Sequence, residues 1–525
     1  MHPKSCDAGL RHRGNPRGGA VSNRTMMRRA AMLTVLAGMG LTLMARAASD
    51  PGALGNQLPE MGNPASTSLS KADEYQIGRM IVRGMRDQNE ILDDPEVADY
   101  VQQLGSRLSA QTRADGDNYQ YFVVRDQVIN AFALPGGFIG VNAGLILLTN
   151  SESELASVMA HETAHVRQRH IARAMQAQSR ASLASIATML AAVLVGAAAG
   201  GNGDAMMGGI AMGQGIAMQQ VMNFTRNEEA EADRVGIGYL ASAGFNTAAM
   251  PAFFEEMGRR EGPSDMGPLD LLRSHPVTRE RVAETRARAA QYVGNKVTES
   301  NQYRWMRERV RVLSADPSTN MLAYYSRLRD RRGLSDAERY GEALAQLRQN
   351  QAPASAETLR GLLITYPDMT ALYSTLGKAM MAAHQQDDAL QTFQRALQLF
   401  PRNVPISLRY ADALMAAGKA KQAHELLLDL FNAVPPTPAQ IRLTAMAASA
   451  AGDTGDAYYY MSEYHLSGGN LALANQQLEL ALGSPNLTSV QQQRFRARLI
   501  EVRGWMREQQ QERPRGGGNQ PFALN

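Results

Sequence analysis

Three prolines, Pro367, Pro401 and Pro435, stand 34 residues apart, and a period of that length restricts the second half of this chain to stacked helix pairs. Between the first two lie Tyr373, Leu376, Gly377, Ala389, Phe393 and Ala396, and a shift by one period from the later of these lands on Ala423, Leu427 and Leu430. Gly418 and Gly452 recur where the two helices of a pair must turn. One such pair cannot bury its own apolar face, so neighbours stack into a solenoid whose concave side suits peptides or protein partners.

The pattern is the tetratricopeptide one, with a degenerate unit beginning near Ala337 and capping helices over Asn470 to Trp505. We therefore expect a helical linker over 301–335, a repeat domain over 336–505 and a disordered tail over 506–525, rich in glycine and proline. His384, His424 and His465 read as repeat-surface residues, and Tyr458, Tyr459 and Tyr460 as helix packing.

Upstream, Ala160-His161-Glu162-Thr163-Ala164-His165 carries chemistry. At about 100° per residue, His161 and His165 share one helix face one turn apart, and Glu162 sits beside it. Two imidazoles can hold one metal ion while the carboxylate reaches a water, the arrangement of a zinc hydrolase. Ser151 or Ser153 would cap that helix, with acids in its first turn. A third ligand is expected from a second helix, which runs from Arg226 to Gly236 and places Glu229 and Asp233 four apart on one face. Glu228 and Glu231 are rivals on other faces, and His170 is a weaker one, about 140° round the first helix from His165.

The 525 residues carry a formal charge of +4, but residues 1 to 47 hold eight bases and one acid, leaving 46 bases and 49 acids in the remainder. A nearly neutral body gives no electrostatic case for nucleic acid. Arg28 and Arg29, the apolar run Ala30 to Met44 and Ala45-Arg46-Ala47 read as a signal peptide cleaved near Ala47, with Met26 or Met27 the better start; an uncleaved anchor is the alternative. A mobile mature terminus over 48–71 follows. Cys6, the single cysteine, falls in the removable segment, so the mature chain has no disulfide and no cysteine ligand. Export without disulfides fits a bacterial periplasm.

Between leader and repeats, 72–300 reads as a metallopeptidase domain. Ala72 to Leu108 is helical, Tyr119 to Arg125 has strand composition, Gly136-Gly137 marks a turn, and Phe138 to Val141 is a short strand. That strand suits either an exposed edge to which an extended peptide adds, or an ordinary buried hairpin. Residues 181–223, dominated by glycine, alanine and methionine, read as a flap over the active site; a transmembrane hairpin is the competing reading, and peripheral membrane contact is open to either.

Taken together, His161 to His165, Glu229 to Asp233 and the stretch from Asn130 to Gly137 resemble the peptidases that include the CAAX prenyl endopeptidases and the heat-shock membrane protease HtpX. The resemblance implies one Zn2+ per chain held by His161, His165 and Glu229, with Glu162 as general base and Asp233 assisting catalysis from behind the ligands, either as a proton donor or by holding a ligand. With an export signal and repeats, the whole looks like members that attend outer-membrane protein assembly. It implies unfolded or stalled outer-membrane proteins as substrates and a repeat domain docked on the barrel-assembly machinery. A chaperone or assembly scaffold with a latent protease site is the alternative. His275, in Arg273-Ser274-His275-Pro276, is read either as a helix-terminal surface residue or as a fourth ligand that restrains the resting site. The expected fold class is mainly α: a helical metallopeptidase domain with a small β-sheet, followed by an α-solenoid.

Overall fold

The structure is a computed structural model, and it describes residues 70–110, 118–177, 224–260, 270–292 and 300–511. The expected leader, the flap over 181–223, residues 512–525 and all of the mature terminus but Ser70 and Lys71 lie outside the described residues. No helix among the described residues is long and apolar enough to cross a membrane.

Helix α1 (Lys71–Asp87) starts at a capping box in which Ser70 and Asp73 exchange hydrogen bonds, and α2 (Pro95–Ser109) starts at Asp94, whose carboxylate accepts from Val97 N. Strands β1 (Gln120–Val124), β2 (Ala131–Leu134) and β3 (Phe138–Asn142) form a sheet in the order β1-β3-β2, with β3 parallel to β1 and antiparallel to β2. Gly136 and Gly137, at φ 78° and 92°, make the β2–β3 turn; a Cβ on Gly137 would stand 2.2 Å from Asn118 O. Of the two readings of Phe138 to Val141, the buried one holds, because β1 and β2 cover both sides of β3. The edge beside the histidine helix is β2 instead.

Helix α3 (Ala143–Leu148) leads into α4 (Glu152–Arg167), which carries the two histidines. Ser151 caps α4 through Glu154 N, and Glu152 and Glu154 complement the helix dipole. From Glu152 to His165 nearly every residue is buried, since α2, α6, α7 and β2 surround the helix. Helix α5 (His170–Ala177) follows; α6 (Arg226–Ser242), α7 (Ala249–Arg260), α8 (Asp270–Ser274) and α9 (Arg279–Ala289) complete the peptidase region. Gly236 makes the α4–α6 crossing close: a Cβ there would lie 3.1 Å from His161 N.

Helix α10 (Asn301–Ser314) packs on α2 and α3, and on the first repeat helix. The remaining helices are α11 (Met321–Arg332), α12 (Asp336–Arg348), α13 (Ala352–Thr365), α14 (Thr370–Ala382), α15 (Gln386–Leu399), α16 (Val404–Ala416), α17 (Ala420–Phe431), α18 (Pro438–Ala450), α19 (Thr454–Ser467), α20 (Leu471–Leu482) and α21 (Ser489–Gln511). From α12 onward they pair as antiparallel hairpins. Asn350, His384, Gly418, Gly452 and Asn486, each one 34-residue period from the last, all turn with positive φ between the two helices of a pair. Only two of the five are glycine, so the period is stricter in the backbone than in the letters. His384 owes its place to this turn, whereas His424 is buried, against the surface position expected of it.

One apolar core runs without a break from Leu92 in the peptidase region to Ala389 in the repeats. Within it Arg309 of α10 pairs with Asp94 at 2.6 Å and Glu96 at 2.8 Å, and donates to Tyr340 at 2.6 Å and Thr375 at 3.0 Å. Arg409 of α16 reaches the same two acids at 2.9 and 3.0 Å, and Ser374 donates to Glu96. At the other end of the array, Arg79 and Arg83 of α1 donate to Leu466 O at 3.0 Å and Gly468 O at 2.9 Å, at the C-terminus of α19.

Candidate metal centre

Four buried groups converge where α4 crosses α6: His161, His165, Glu229 and His275, whose ligating atoms lie within 4.8 Å of one another. His161 Nε2 and His165 Nε2 are 2.9 Å apart, His161 Nε2 and His275 Nδ1 are 3.3 Å apart, and each α4 histidine is 3.5 Å from the Glu229 carboxylate. Facing imidazole nitrogens repel unless a proton or a cation lies between them. Zinc–nitrogen bonds of about 2.0–2.1 Å in tetrahedral array place ligand atoms roughly 3.3 Å apart, so the nitrogen-rich donor set fits such an ion.

The three glutamates of α6 separate by function. Glu228 closes the N-terminal capping box, accepting from Thr225 N at 2.9 Å while its own N–H donates to Thr225 Oγ1 at 3.3 Å. Glu231 turns away to His170 and Arg173, each at 3.3 Å. Glu229 alone of the three enters the cluster.

Glu162 is fully buried beside these four side chains, and neither of its oxygens accepts a hydrogen bond among the described residues. His275 Nε2 lies 3.5 Å from Glu162 Oε1. His275 is buried rather than a surface residue: its N–H donates to Leu271 O, and its Nδ1 lies 2.8 Å from Glu229 Oε1. Burial would lower this imidazole, but the Glu229 and Glu162 carboxylates hold it up at about 8. For His165, burial and then the neighbouring cations push the other way, favouring the neutral ring that a metal requires.

Asp233 lies 2.9 Å from His161 Nδ1, so His161 is held from behind while Nε2 faces the cluster. Burial would raise the Asp233 carboxyl; His161 and the guanidinium of Arg281 hold it below the usual range. Arg281 binds Asp233 through two bonds of 2.8 Å and reaches Glu229 at 2.7 Å, which makes it the principal site residue that sequence reasoning missed. Its only signal was a position six residues beyond His275. Phe224 stacks on His165 with centroids 3.9 Å apart. A second group, His424, Asp453 and Asp456, is different in kind: Gln491 donates to both carboxylates and Arg494 pairs with Asp456, so its acids are already satisfied.

The profile of Peptidase family M48 matches residues 95–289, and a tetratricopeptide profile matches 380–448. A protein of Escherichia coli K12 named beta-barrel assembly-enhancing protease is 30% identical over 478 residues, 90% of this chain and 95% of that one. A Vibrio cholerae protein provisionally given the same name is 36% identical over 316 residues, 59% of this chain and 64% of that one. A mitochondrial metalloendopeptidase of Arabidopsis thaliana, OMA1, is 28% identical over 196 residues, 37% of this chain and 36% of its own.

Proposed function

The chain belongs to the family of beta-barrel assembly-enhancing proteases, metallopeptidases that carry tetratricopeptide repeats, and we propose that it is an exported, periplasmic zinc endopeptidase that cuts misfolded or stalled outer-membrane proteins. One zinc per chain would be held by His161, His165 and Glu229. The observation that carries this reading is the convergence of those three with an unbonded, buried Glu162.

Zinc bound there would activate a water and polarise a scissile carbonyl. Glu162 takes the proton of the attacking water and hands it to the leaving amine, a transfer favoured by a carboxylate that no other donor occupies. Asp233 orients His161 and, being tied to Arg281 by two bonds, acts by positioning rather than by giving up a proton. An extended substrate adds to β2, the edge strand beside α4. The repeats hold the unfolded chain or dock the barrel-assembly machinery.

His275 favours a second state of the same protein. Wedged between Glu229 and Glu162, it would serve as a fourth ligand at rest and would stand between the metal site and the base. In that state the protein is chiefly a chaperone or assembly scaffold with a latent protease.

The deciding experiment measures zinc content of the purified mature protein, wild type and Glu229→Ala, beside casein cleavage with and without chelator. About one zinc per chain, lost in Glu229→Ala and matched by chelator-sensitive cleavage, is expected. Absence of zinc from the wild type, loaded and then desalted, would refute the metal reading. Zinc without cleavage, relieved in His275→Ala, would mark the latent state, and Glu162→Gln rescuing barrel assembly in a deletion strain would place the essential function in binding.

A further inference from the structure

His170 stands five residues after His165, which on a continuous helix would carry it about 140° away. The chain is not continuous there. Arg169 adopts φ 52°, its N–H returns to Val166 O at 2.9 Å, and its guanidinium is anchored to Glu74 of α1. This left-handed residue ends α4 and begins α5 in a new direction, bringing the fully buried His170 ring behind His165 rather than beside it.

The two rings meet through Nδ1 atoms only 2.8 Å apart. A separation that short admits one proton, shared as donor and acceptor. His170 Nε2 lies 3.3 Å from Glu231 Oε2, and Arg173 pairs with the same oxygen at 3.3 Å. Protons along this chain can be assigned. With Arg173 beside it, Glu231 accepts from His170 Nε2–H; His170 Nδ1 is then the acceptor, and the proton between the rings belongs to His165 Nδ1. That leaves the lone pair of His165 on Nε2, the atom that faces His161 and the cluster. His161 has its own carboxylate behind the ring, Asp233 Oδ1 lying 2.9 Å from Nδ1.

We propose that His170 is a positioning residue that, backed by Glu231, fixes His165 in the Nδ1-protonated tautomer and so presents its Nε2 to the metal. This rests on the metal reading above. The relay differs from the His161–Asp233 pair in using a neutral ring between ligand and carboxylate, and in ending at a carboxylate about 30% exposed. His170 and Glu231, rival ligands by helical phase alone, thus act together one layer further out.

Zinc release tests it. The mature full-length protein is loaded with zinc and mixed with excess chromophoric chelator, and the visible spectrum of the Co2+-loaded protein is recorded alongside. His170→Leu fills the space but offers no acceptor, and is expected to release zinc roughly 10–100-fold faster than wild type and to shift the Co2+ bands. His170→Asn, whose Oδ1 can stand where Nδ1 stood, is expected to return both readouts toward wild type. A packing role predicts the opposite order, with His170→Leu near wild type and His170→Asn impaired, and that order would overturn the proposal. Glu231→Ala guards against misfolding of the His170 variants, because Glu231 is partly exposed; release unchanged in Glu231→Ala would also overturn it. Failure of wild type to retain zinc would refute the metal reading itself, a distinguishable result.

Discussion

Replacing Arg409 by methionine tests what joins the repeats to the peptidase. In the wild type two guanidiniums face two carboxylates, Arg309 and Arg409 against Asp94 and Glu96, and all four are mostly buried, Arg409 being 16% and Glu96 3% exposed. Methionine keeps much of the arginine stem's volume and leaves a net negative charge in the core. Breaking a buried pair by removing one partner costs about 3–5 kcal/mol. Because Arg309 still touches both acids, we expect the low end, about 3 kcal/mol at pH 7. The assay is urea unfolding followed by fluorescence in a Trp505→Phe background. That leaves Trp305 as the reporter, a buried side chain of α10 with ring centroids 5.3 Å from Tyr340 and 5.1 Å from Tyr366. Glu96→Gln combined with Arg409→Met restores charge balance and should recover more than half of the loss. The pH dependence has a definite sign. Burial would raise the Glu96 carboxyl, but Arg309 and Arg409 hold it well below the usual carboxylate range. Its stabilisation is therefore complete above about pH 4.5 and disappears as pH falls through the depressed folded value. Loss of Arg409 moves that value up, so the stabilities of wild type and variant should converge on acidification. A change below 1 kcal/mol at pH 7, or a gap that persists into acid, would refute the reasoning.

In metal-free protein His275 titrates near 8 instead of 6.5, which at about 1.36 kcal/mol per pH unit amounts to about 2 kcal/mol. A raised folded value means this stabilisation is complete below about 6.5 and lost as pH rises through 8; thermal denaturation from pH 6 to 9 should show the fall, and His275→Ala should abolish it. Gly236→Val should push α6 away from α4 and weaken zinc binding at least tenfold in a competition titration, whereas Gly236→Ala, whose Cβ meets His161 N at 3.1 Å, should cost far less. Asp233→Asn keeps the shape but not the charge opposite Arg281, and should destabilise the metal-free protein by about 1.5–3 kcal/mol in urea unfolding.

The paired histidines, the glutamate beside them and the helix carrying Glu229 were legible because their spacing within one helix determines which side chains share a face. The repeats were legible for a similar reason, as a period. What the sequence could not supply were contacts set by crossings between distant elements. Arg281 approaches Asp233 only because α9 lies against α6. The choice among Glu228, Glu229 and Glu231 needed the capping box at Thr225 and the position of His170. The place of β3 depended on β1 returning parallel beside it, a pairing that no local pattern encodes. Helical phase fails at His170, because Arg169, at φ 52°, interrupts the helix that such a phase presupposes.

The ion cluster at the head of α2 has a consequence for the order in which the molecule can be finished. Asp94 and Glu96 leave the ribosome early, but their partners follow 215 and 213 residues later at Arg309, and more than 300 residues later at Arg409. Arg79 waits longer still, 387 residues, for the carbonyl of Leu466. Contacts of such span form late, after the intervening chain has been ordered. A chain truncated before α16 would keep Arg309 on the two acids but lack Arg409, so the helix α2 that supports the histidine helix would rest on a half-neutralised carboxylate pair. Synthesis through α16 and on to Leu466 is in this sense a condition for the full set of contacts beneath the histidine helix.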